Sequence, residues 1–474
     1  MRGYVTLATI VLVLAVLAAA CGETEPVVID EPDETEEPEA PEEPVEEPDV
    51  AVPEGPYEHL ARAEAGEYAG TSVHLLGQWI EAEGDFFARS LEGFAERTGI
   101  DLTYDGITDY ETVLSVRVEG GNPPDIAQLA QPGLMREFAQ AGHLVDLSTF
   151  MNTAQLESDY GEAWTELATV DDGLYGLFYK ADTKSIVWYP AAAFEAEGYA
   201  VPETWDELWA LSEQIRDDGN GAPWCISVEH GDASGWVATD WIEDVLLRTA
   251  PPEVYDGWVE GTVPFTSPEV TRAAEIVGDL WFEEGFAYGG ATYINATWVG
   301  ETQDPMFHED GPRCWMHKQA AWIPSFWPAD PDTEEPLFEP GVDVPFFYLP
   351  PIDEEYGNPV LGSGDLMLMF EDRDEVRAVM EFLATPEAAE VWIVEGGIAS
   401  PNSAVPDDWY IAYAQQETAR ILGEATTLRF DASDMMPAEV GQGRFWEAMV
   451  EWIAAEGTNT DEMLESIDAA WPSG

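Results

Sequence analysis

The most constraining feature of the sequence is a regular alternation of strand and helix patterns that starts near residue 70. Residues 72–79 alternate apolar and polar side chains, as a half-buried strand does. Phe87 and Phe94 then fall on one face of a helix. Further strand patterns at 100–104 and 124–130 flank a second helix. This order predicts a parallel sheet covered by helices, that is, an α/β fold.

A second region of the same kind follows. Residues 185–189 have a strand pattern, and Thr204 with Glu207 forms a capping box that opens a helix. Residues 374–383 have the pattern of a helix, and Thr385-Pro386 predicts the start of another, with proline at its first position. About 400 residues remain once the ends are set aside, which is enough for two domains.

The charge of the chain excludes several classes of partner. Asp and Glu number 95 against 18 Lys and Arg, a net charge of −77, and the lysines are Lys180, Lys184 and Lys318. Nucleic acid is excluded because phosphate binding needs a cationic patch, and adhesion to an anionic membrane surface is disfavoured. At about 1 M salt the screening length falls to about 3 Å, so self-repulsion largely disappears. The charge therefore indicates a halophilic acidic surface, and the alternative is an acidic protein in an ordinary medium.

The N-terminus has the pattern of an export signal. Arg2 precedes an apolar run that ends in small residues and Cys21, so residues 1–20 are predicted to be a signal peptide. The run Leu-Ala-Ala-Ala-Cys-Gly resembles a bacterial lipobox, with Ala18 where that signal usually has Leu or Val. The resemblance implies lipidation of Cys21, and the alternative is a plain secretory signal with a coincidental cysteine.

Residues 21–60 are predicted to form a disordered tether. The stretch at 31–50 is rich in Pro and Glu and has no basic residue, so it cannot bury enough apolar surface to fold. Proline and charge repulsion keep such a segment extended. The N-terminus therefore predicts a folded domain at the extracellular face of the cell membrane, in contact with the membrane only through its lipid anchor.

The body of the chain contains two cysteines, Cys225 and Cys314. An exported chain favours their pairing as a disulfide, and the alternative is two buried free thiols. Neither cysteine has metal-ligand spacing, so we expect no metal site. We expect no cofactor either.

A series of motifs resembles the extracellular solute-binding proteins (family 1) of carbohydrate ABC importers. The motifs span residues 94–102 (FAERTGIDL), 120–126 (GGNPPDI), 141–147 (AGHLVDL), 175–182 (YGLFYKAD), 201–208 (VPETWDEL), 383–388 (LATPEA) and 396–402 (GGIASPN). A narrower resemblance, to the alpha-glucoside-binding branch, is carried by residues 223–225, 235–244, 314–320 and 362–365. It implies an alpha-glucoside or oligosaccharide as ligand.

The resemblance implies a two-lobed, periplasmic-binding-protein-like (type II) fold, in which each lobe is a sheet covered by helices and hinge crossovers join the lobes. Carried onto this chain, lobe one is 70–180 plus 366–403, and lobe two is 181–365 plus 404–474. The implied protein is a monomer that closes on a carbohydrate and delivers it to the permease subunits of the importer.

A sugar site needs aromatic side chains that stack on C–H faces and polar side chains that satisfy hydroxyl groups. Position after the strands of an open sheet, together with the resemblance, selects the candidates. They are Trp79, Glu81, Asp109, Glu111, Gln131, Asp182, Trp236, Asp240, Trp322, Asp365, Phe445 and Trp446. For each of them the alternative role is core packing or helix capping.

Two other functions remain open at this point. A secreted glycoside hydrolase would need two opposed carboxylates, and 95 acidic residues make any such pair in the sequence uninformative. The chain has no HExxH, GxSxG or P-loop motif, which argues against an enzyme. A sensory protein that presents its sugar to a receptor would have the same fold and the same site.

Overall fold

The computed structural model describes residues 57–331 and 336–472. The predicted signal peptide, the lipidation site at Cys21 and the tether up to residue 56 lie outside the described residues. None of the helices in the described ranges combines the length and the apolar character that a membrane crossing requires.

The strands are β1 Ser72–Gly77, β2 Asp101–Gly106, β3 Ile126–Leu129, β4 Thr169–Val170, β5 Gly173–Leu174, β6 Leu177–Thr183, β7 Ile186–Trp188, β8 Ala222–Trp224, β9 Cys314–Lys318, β10 Phe346–Tyr348, β11 Pro359–Met369 and β12 Thr427–Phe430.

The helices are α1 Glu58–Glu64, α2 Glu81–Thr98, α3 Tyr110–Glu119, α4 Pro132–Gln140, α5 Thr153–Leu167, α6 Ala191–Glu197, α7 Trp205–Asp218, α8 Trp236–Leu247, α9 Pro252–Val259, α10 Pro268–Phe282, α11 Gly290–Ala296, α12 Asp374–Leu383, α13 Tyr413–Glu424, α14 Ala432–Met435, α15 Trp446–Ala454 and α16 Thr460–Asp468.

The larger sheet has six strands in the order β12-β11-β3-β1-β2, with β6 also paired to β11. Strand β1 pairs in parallel with β2 and β3, as the alternation of strands and helices predicts. Strand β11 runs antiparallel to β3 and to β6. The core around this sheet draws its buried apolar residues from 63–179 and 366–405.

The second sheet has four strands in the order β10-β7-β9-β8. The core on its helical side draws its buried residues from 187–361 and 432–467. Only Lys184 and Ser185 separate β6 of the first sheet from β7 of the second, and β11 returns the chain from the second sheet to the first. These crossovers divide the chain into two lobes, each with its own core.

Two local features differ from the sequence analysis. Helix α1 begins at Glu58, inside the predicted tether, because the Leu60 N–H donates to the Glu381 carboxylate at 2.7 Å and anchors the helix. The helix expected after Thr385 begins at Pro386 as predicted but is irregular, because a 3₁₀ turn at Pro386–Ala389 continues into a π-helical turn at Trp392–Gly396. Within this segment the Ala388 carbonyl also accepts a hydrogen bond from the Tyr179 hydroxyl at 2.7 Å.

Cys225 and Cys314 form a disulfide in the second lobe, with an S–S distance of 1.96 Å and a Cα–Cα distance of 5.3 Å. Cys225 directly follows β8, and Cys314 is the first residue of the neighbouring parallel strand β9. The bond therefore joins two adjacent strands of one lobe and does not cross between the lobes.

Candidate binding cleft

A cavity of about 120 Å³ lies between the two lobes. Its first-lobe wall includes Trp79, which follows β1, and Gln131, which follows β3. Both residues lie on this wall because β1 and β3 are neighbouring parallel strands whose carboxyl ends lie at one edge of the sheet. Ligands of open α/β sheets bind beyond this edge. The second-lobe wall includes Trp236 and Trp322.

The cavity brings together eight of the twelve residues that the sequence singled out. They are Trp79, Glu111, Gln131, Asp182, Trp236, Trp322, Asp365 and Trp446. Trp79 is 1% exposed and its ring packs against Phe87 and Trp392, with centroid distances of 4.8 Å to each. Trp79 is therefore mainly a core residue whose edge reaches the cavity.

The other four candidates lie off the cavity wall. Glu81 is the exposed first residue of α2. Asp109 directly precedes α3 without capping it, and its carboxylate accepts a hydrogen bond from the Asp232 N–H of the second lobe at 3.1 Å. Asp240 is buried in an ion pair behind the wall. Phe445 is fully buried in the second core.

Lys180 on β6 organises the first-lobe side of the cavity. Its Nζ lies 3.0 Å from a Glu83 oxygen, 3.4 Å from Asp182 and 3.8 Å from Asp365. Lys180 is 3% exposed, so its charge is compensated by these carboxylates rather than by water. Gln128 donates a further hydrogen bond to Asp365 at 2.7 Å.

Three carboxylates around one ammonium group cannot all ionise without cost. Burial raises the pKa of Glu83, and burial also raises the pKa of Asp365 to about 6, although Lys180 acts in the opposite direction. Burial lowers the pKa of Lys180, but the Asp182 and Glu83 carboxylates outweigh it and the net shift is upward. The lysine therefore stays charged, and Asp365 is the group in this cluster that titrates near pH 6.

Lys184 plays the matching role on the second-lobe side. Its Nζ lies 2.7 Å from an Asp240 oxygen and 2.5 Å from Asp431. Burial raises the pKa of Asp240; at Asp431 burial acts in the same sense, but Lys184 outweighs it and the pKa falls. Asp240, Glu243 and Asp431 lie close enough together to hold a metal ion, but the ammonium group of Lys184 already contacts two of them.

Aromatic side chains form the rest of the second-lobe wall. Trp322 packs against Trp236 and Phe326, with ring centroids 6.0 Å and 5.6 Å away. Trp298 meets Phe326 edge-on at 5.3 Å. Trp446 donates its indole N–H to the Ser433 hydroxyl at 3.1 Å, which fixes the ring. Such fixed apolar faces suit the C–H surfaces of a small polar ligand.

His230 contributes a neutral donor at the edge of the cavity. Its Nδ1 accepts a hydrogen bond from the Trp236 indole N–H at 3.2 Å, so the ring proton sits on Nε2. Burial lowers the pKa of His230, which keeps the ring uncharged. No pattern in the sequence singled out this histidine.

Sequence reasoning also missed Lys180 and Lys184, the two cations of the wall. A signal for them was present, because a chain with 95 acidic residues retains only three lysines. All three lysines are buried beside carboxylates in the structure. Glu83, Trp298, Asp431 and Asp434 also line the cavity and carry no comparable signal in the sequence.

A two-lobed α/β protein with a polar and aromatic cavity between its lobes has the architecture of a solute-binding protein. The family described as "Bacterial extracellular solute-binding protein" matches residues 79–390. The chain belongs to this family.

Two relatives match over most of their length. The chain is 40% identical over 408 residues to the osmoprotective compounds-binding protein GgtB of Synechocystis sp., which covers 86% of this chain and 94% of the relative. It is 39% identical over 414 residues to the alpha-glucosides-binding periplasmic protein AglE of Rhizobium meliloti, which covers 85% of this chain and 88% of the relative.

A solved structure of the bacterial solute receptor AcbH superposes with a TM-score of 0.72 at 15% identity and covers 85% of this chain and 98% of the receptor. This similarity confirms the predicted two-lobed, periplasmic-binding-protein-like α/β fold.

Proposed function

We propose that the chain is the extracellular substrate-binding component of an ABC importer for alpha-glucosides. In this proposal Cys21 is lipidated, the acidic segment tethers the two lobes to the membrane, and the lobes capture a small glucoside and deliver it to the permease. The protein acts by binding and release, without turnover of the sugar.

The cavity between the lobes carries the proposal. The two walls of the cavity come from different lobes, each with its own core, so a ligand in the cavity contacts both lobes at once. Its aromatic faces and carboxylates are the two kinds of group that a sugar ring requires. The names of the two relatives, an alpha-glucosides-binding protein and an osmoprotective compounds-binding protein, support a small glucoside as the ligand.

A contact across the cleft supports a closing mechanism. The hydrogen bond from the Asp232 N–H to the Asp109 carboxylate joins the first lobe to the second at the rim of the cavity. A ligand that touches both walls favours this joined arrangement by its tighter binding to it. Small-angle scattering with and without a tightly bound sugar tests this mechanism, and identical dimensions in the two states would contradict it.

A thermal-shift screen in high salt tests the function. The probes are glucose, maltose, trehalose, sucrose and maltotriose, with xylo- and galacto-oligosaccharides as contrasts. A ligand at about 100 times its Kd adds about 2.7 kcal/mol of stability. A shift with one alpha-glucoside, without hydrolysis, is expected. The absence of any shift in a folded sample refutes the alpha-glucoside assignment.

A pair of tryptophan variants locates the site. Trp322→Ala removes an aromatic face of the cavity, and we expect it to weaken sugar binding by about 10-fold to 100-fold. Trp209→Ala is the matched control, because Trp209 is also half-buried but packs against Phe286 on another face of the same lobe. Calorimetric titration of both variants with the sugar found in the screen makes the comparison. Equal losses of affinity would place the site elsewhere.

A further inference from the structure

The wall of the cavity carries more negative than positive groups. Six carboxylates line it, those of Glu83, Glu111, Asp182, Asp365, Asp431 and Asp434. Two ammonium groups, those of Lys180 and Lys184, face them. This imbalance is local to the cleft and is separate from the acidic surface of the protein.

The two lysines offer little to an anionic ligand. Lys180 already lies within 4 Å of three carboxylates, and Lys184 lies at 2.7 Å and 2.5 Å from two. An anion that approached either ammonium group would have to displace a buried carboxylate or lie beside it. Both alternatives are costly in a site with little water.

Four of the six carboxylates form ion pairs with the two lysines, whereas within the described part of the chain Glu111 and Asp434 form none. Burial raises the pKa of Asp434 and the nearby charge of Lys184 opposes it, so Glu111 differs from the other five in having no cation near it. Its oxygen accepts a hydrogen bond from the Gln131 side-chain N–H at 3.3 Å. Burial raises the pKa of Glu111, and the charges that act on it, those of Asp232 and Asp109, are also negative and raise it further.

Gln131 completes an acceptor pair with Glu111. Its amide nitrogen is engaged with Glu111, while its oxygen Oε1 is buried and has no hydrogen-bond partner. Gln131 is 4% exposed and lines the cavity, so this oxygen is an acceptor that no other side chain of the wall satisfies. The neutral ring of His230 on the opposite lobe adds no positive charge. Glu111 and the Gln131 oxygen therefore present hydrogen-bond acceptors to a ligand at this corner of the cleft.

We propose that Glu111, together with the amide oxygen of Gln131, determines the charge specificity of the cleft. The corner accepts the hydroxyl groups of neutral glucosides and rejects sugar acids and sugar phosphates. The inference rests on the proposed function, since it names which sugars the same cleft admits.

Calorimetric titration of the folded mature chain with matched probes tests the proposal. The pairs are maltose with maltobionate and trehalose with trehalose 6-phosphate, at one fixed salt concentration. Removing a charge about 6 Å from an anionic ligand changes its affinity by about 10-fold to 100-fold at an effective dielectric constant near 20. The wild-type protein should bind the neutral member of a pair more tightly than the anionic member by at least this factor. Glu111→Gln should reduce this ratio of affinities by a similar factor.

Glu119→Gln is the matched control, because Glu119 is the exposed last residue of the same helix α3. It removes the same charge about 12 Å along the helix axis from Glu111. We expect it to leave the preference unchanged. If both variants reduced the ratio of neutral to anionic affinity equally, the role of Glu111 would be refuted. The selectivity would then come from the negative charge of the whole protein.

The wild-type preference decides the inference even if a variant fails to fold. Binding of the neutral sugar and its anionic partner within about threefold of each other would refute the inference and leave the proposed function standing. Binding of no sugar at all would refute the proposed function and this inference with it.

Discussion

Replacing Lys184 by methionine removes the cation that joins β6 to the second lobe. In the wild-type protein its ammonium group contacts Asp240 at 2.7 Å and Asp431 at 2.5 Å, and the three residues are 6%, 3% and 1% exposed. Methionine keeps the length and much of the volume of the side chain. The variant therefore leaves two buried carboxylates without their main partner and creates little cavity.

Breaking a buried ion pair by removing one partner costs about 3–5 kcal/mol, because the remaining charge stays desolvated. Two hydrogen bonds to a charged group are lost in the same step. Asp431 keeps the Asp434 N–H and the Ser433 hydroxyl as donors, which limits the loss on that side. We expect the free energy of unfolding of Lys184→Met to fall by about 3–4 kcal/mol near neutral pH.

The loss should depend on pH in a defined direction. Without the ammonium group, burial raises the folded-state pKa of both carboxyl groups above their unfolded value of about 3.9. The folded variant then binds more protons than the unfolded chain between these two values, so its stability falls as the pH rises through the folded pKa and recovers as the pH falls. In the wild type burial already raises the pKa of Asp240 to about 8, whereas Lys184 holds the pKa of Asp431 at about 2, so Asp431 carries the difference between the two proteins. The difference in stability should therefore shrink as the pH falls through the raised pKa of Asp431 in the variant toward the unfolded value of about 3.9.

Urea denaturation followed by tryptophan fluorescence, at fixed high salt, measures the loss. Lys318→Met is the control, because Lys318 lies 3.2 Å from Asp244, and Asp244 retains Arg248 and the Ser185 hydroxyl as partners. The control should lose less than half as much stability as Lys184→Met. Equal losses in the two variants, or a loss for Lys184→Met that is constant with pH, would refute the reasoning.

Two further outcomes are expected. Replacing Cys225 and Cys314 together by serine should lower the free energy of unfolding by about 4 kcal/mol, since the loop between them spans 89 residues. Sugar affinity measured by calorimetry should stay within about twofold of the wild-type value, because neither cysteine lines the cavity. If the free energy of sugar binding fell by as much as the free energy of unfolding, the claim that the disulfide does not affect the cleft would be wrong. The pKa of Asp365 is raised from 3.8 to about 6, mainly by burial, so Asp365 lowers stability as the pH rises from about 4 through 6. Asp365→Asn should flatten the dependence of unfolding free energy on pH in this window, by up to about 3 kcal/mol, and an unchanged slope would show that another group titrates there.

Local signals in the sequence were sufficient for most elements. Gly99 adopts φ 72° and ends α2 at the residue where the apolar spacing stops. The Thr204 hydroxyl accepts from the Glu207 N–H at 3.2 Å, and α7 begins at Trp205 as the capping box predicts. Both features depend on residues within a few positions of each other, so the sequence contains all the information that determines them.

The choice of site residues needed information that spacing does not contain. The sequence placed a carboxylate after β1 and selected Glu81, whereas Glu83 lines the cavity. Residues two positions apart on a helix point to nearly opposite sides, so a small error in the start of α2 exchanges them. Glu81 is the first residue of α2 and adopts φ 51°, a backbone conformation that no local pattern predicts.

Short-range sequence patterns could not predict the buried ion pairs, because the two partners of each pair are far apart in the chain. Lys180 and Glu83 are 97 positions apart, and Lys184 and Asp431 are 247 apart. Only the fold brings them together. The overall composition was the one available signal, since all three lysines of the chain are buried, with 3%, 6% and 4% exposure.

The positions of two of these lysines explain how the crossover is held. Lys180 binds Glu83 of the first lobe, and Lys184, four residues later on the same crossing segment, binds Asp240 and Asp431 on the second-lobe side. The ammonium group of lysine is a compact charge with three donors, so one buried lysine can contact several carboxylates at once. Each end of the crossover is therefore fixed to a different lobe, and in the proposed closing mechanism a change in the angle between the lobes would be absorbed partly by the backbone between these two residues. Because both lysines also line the cavity, a ligand bound there would contact the segment on which the proposed closure depends.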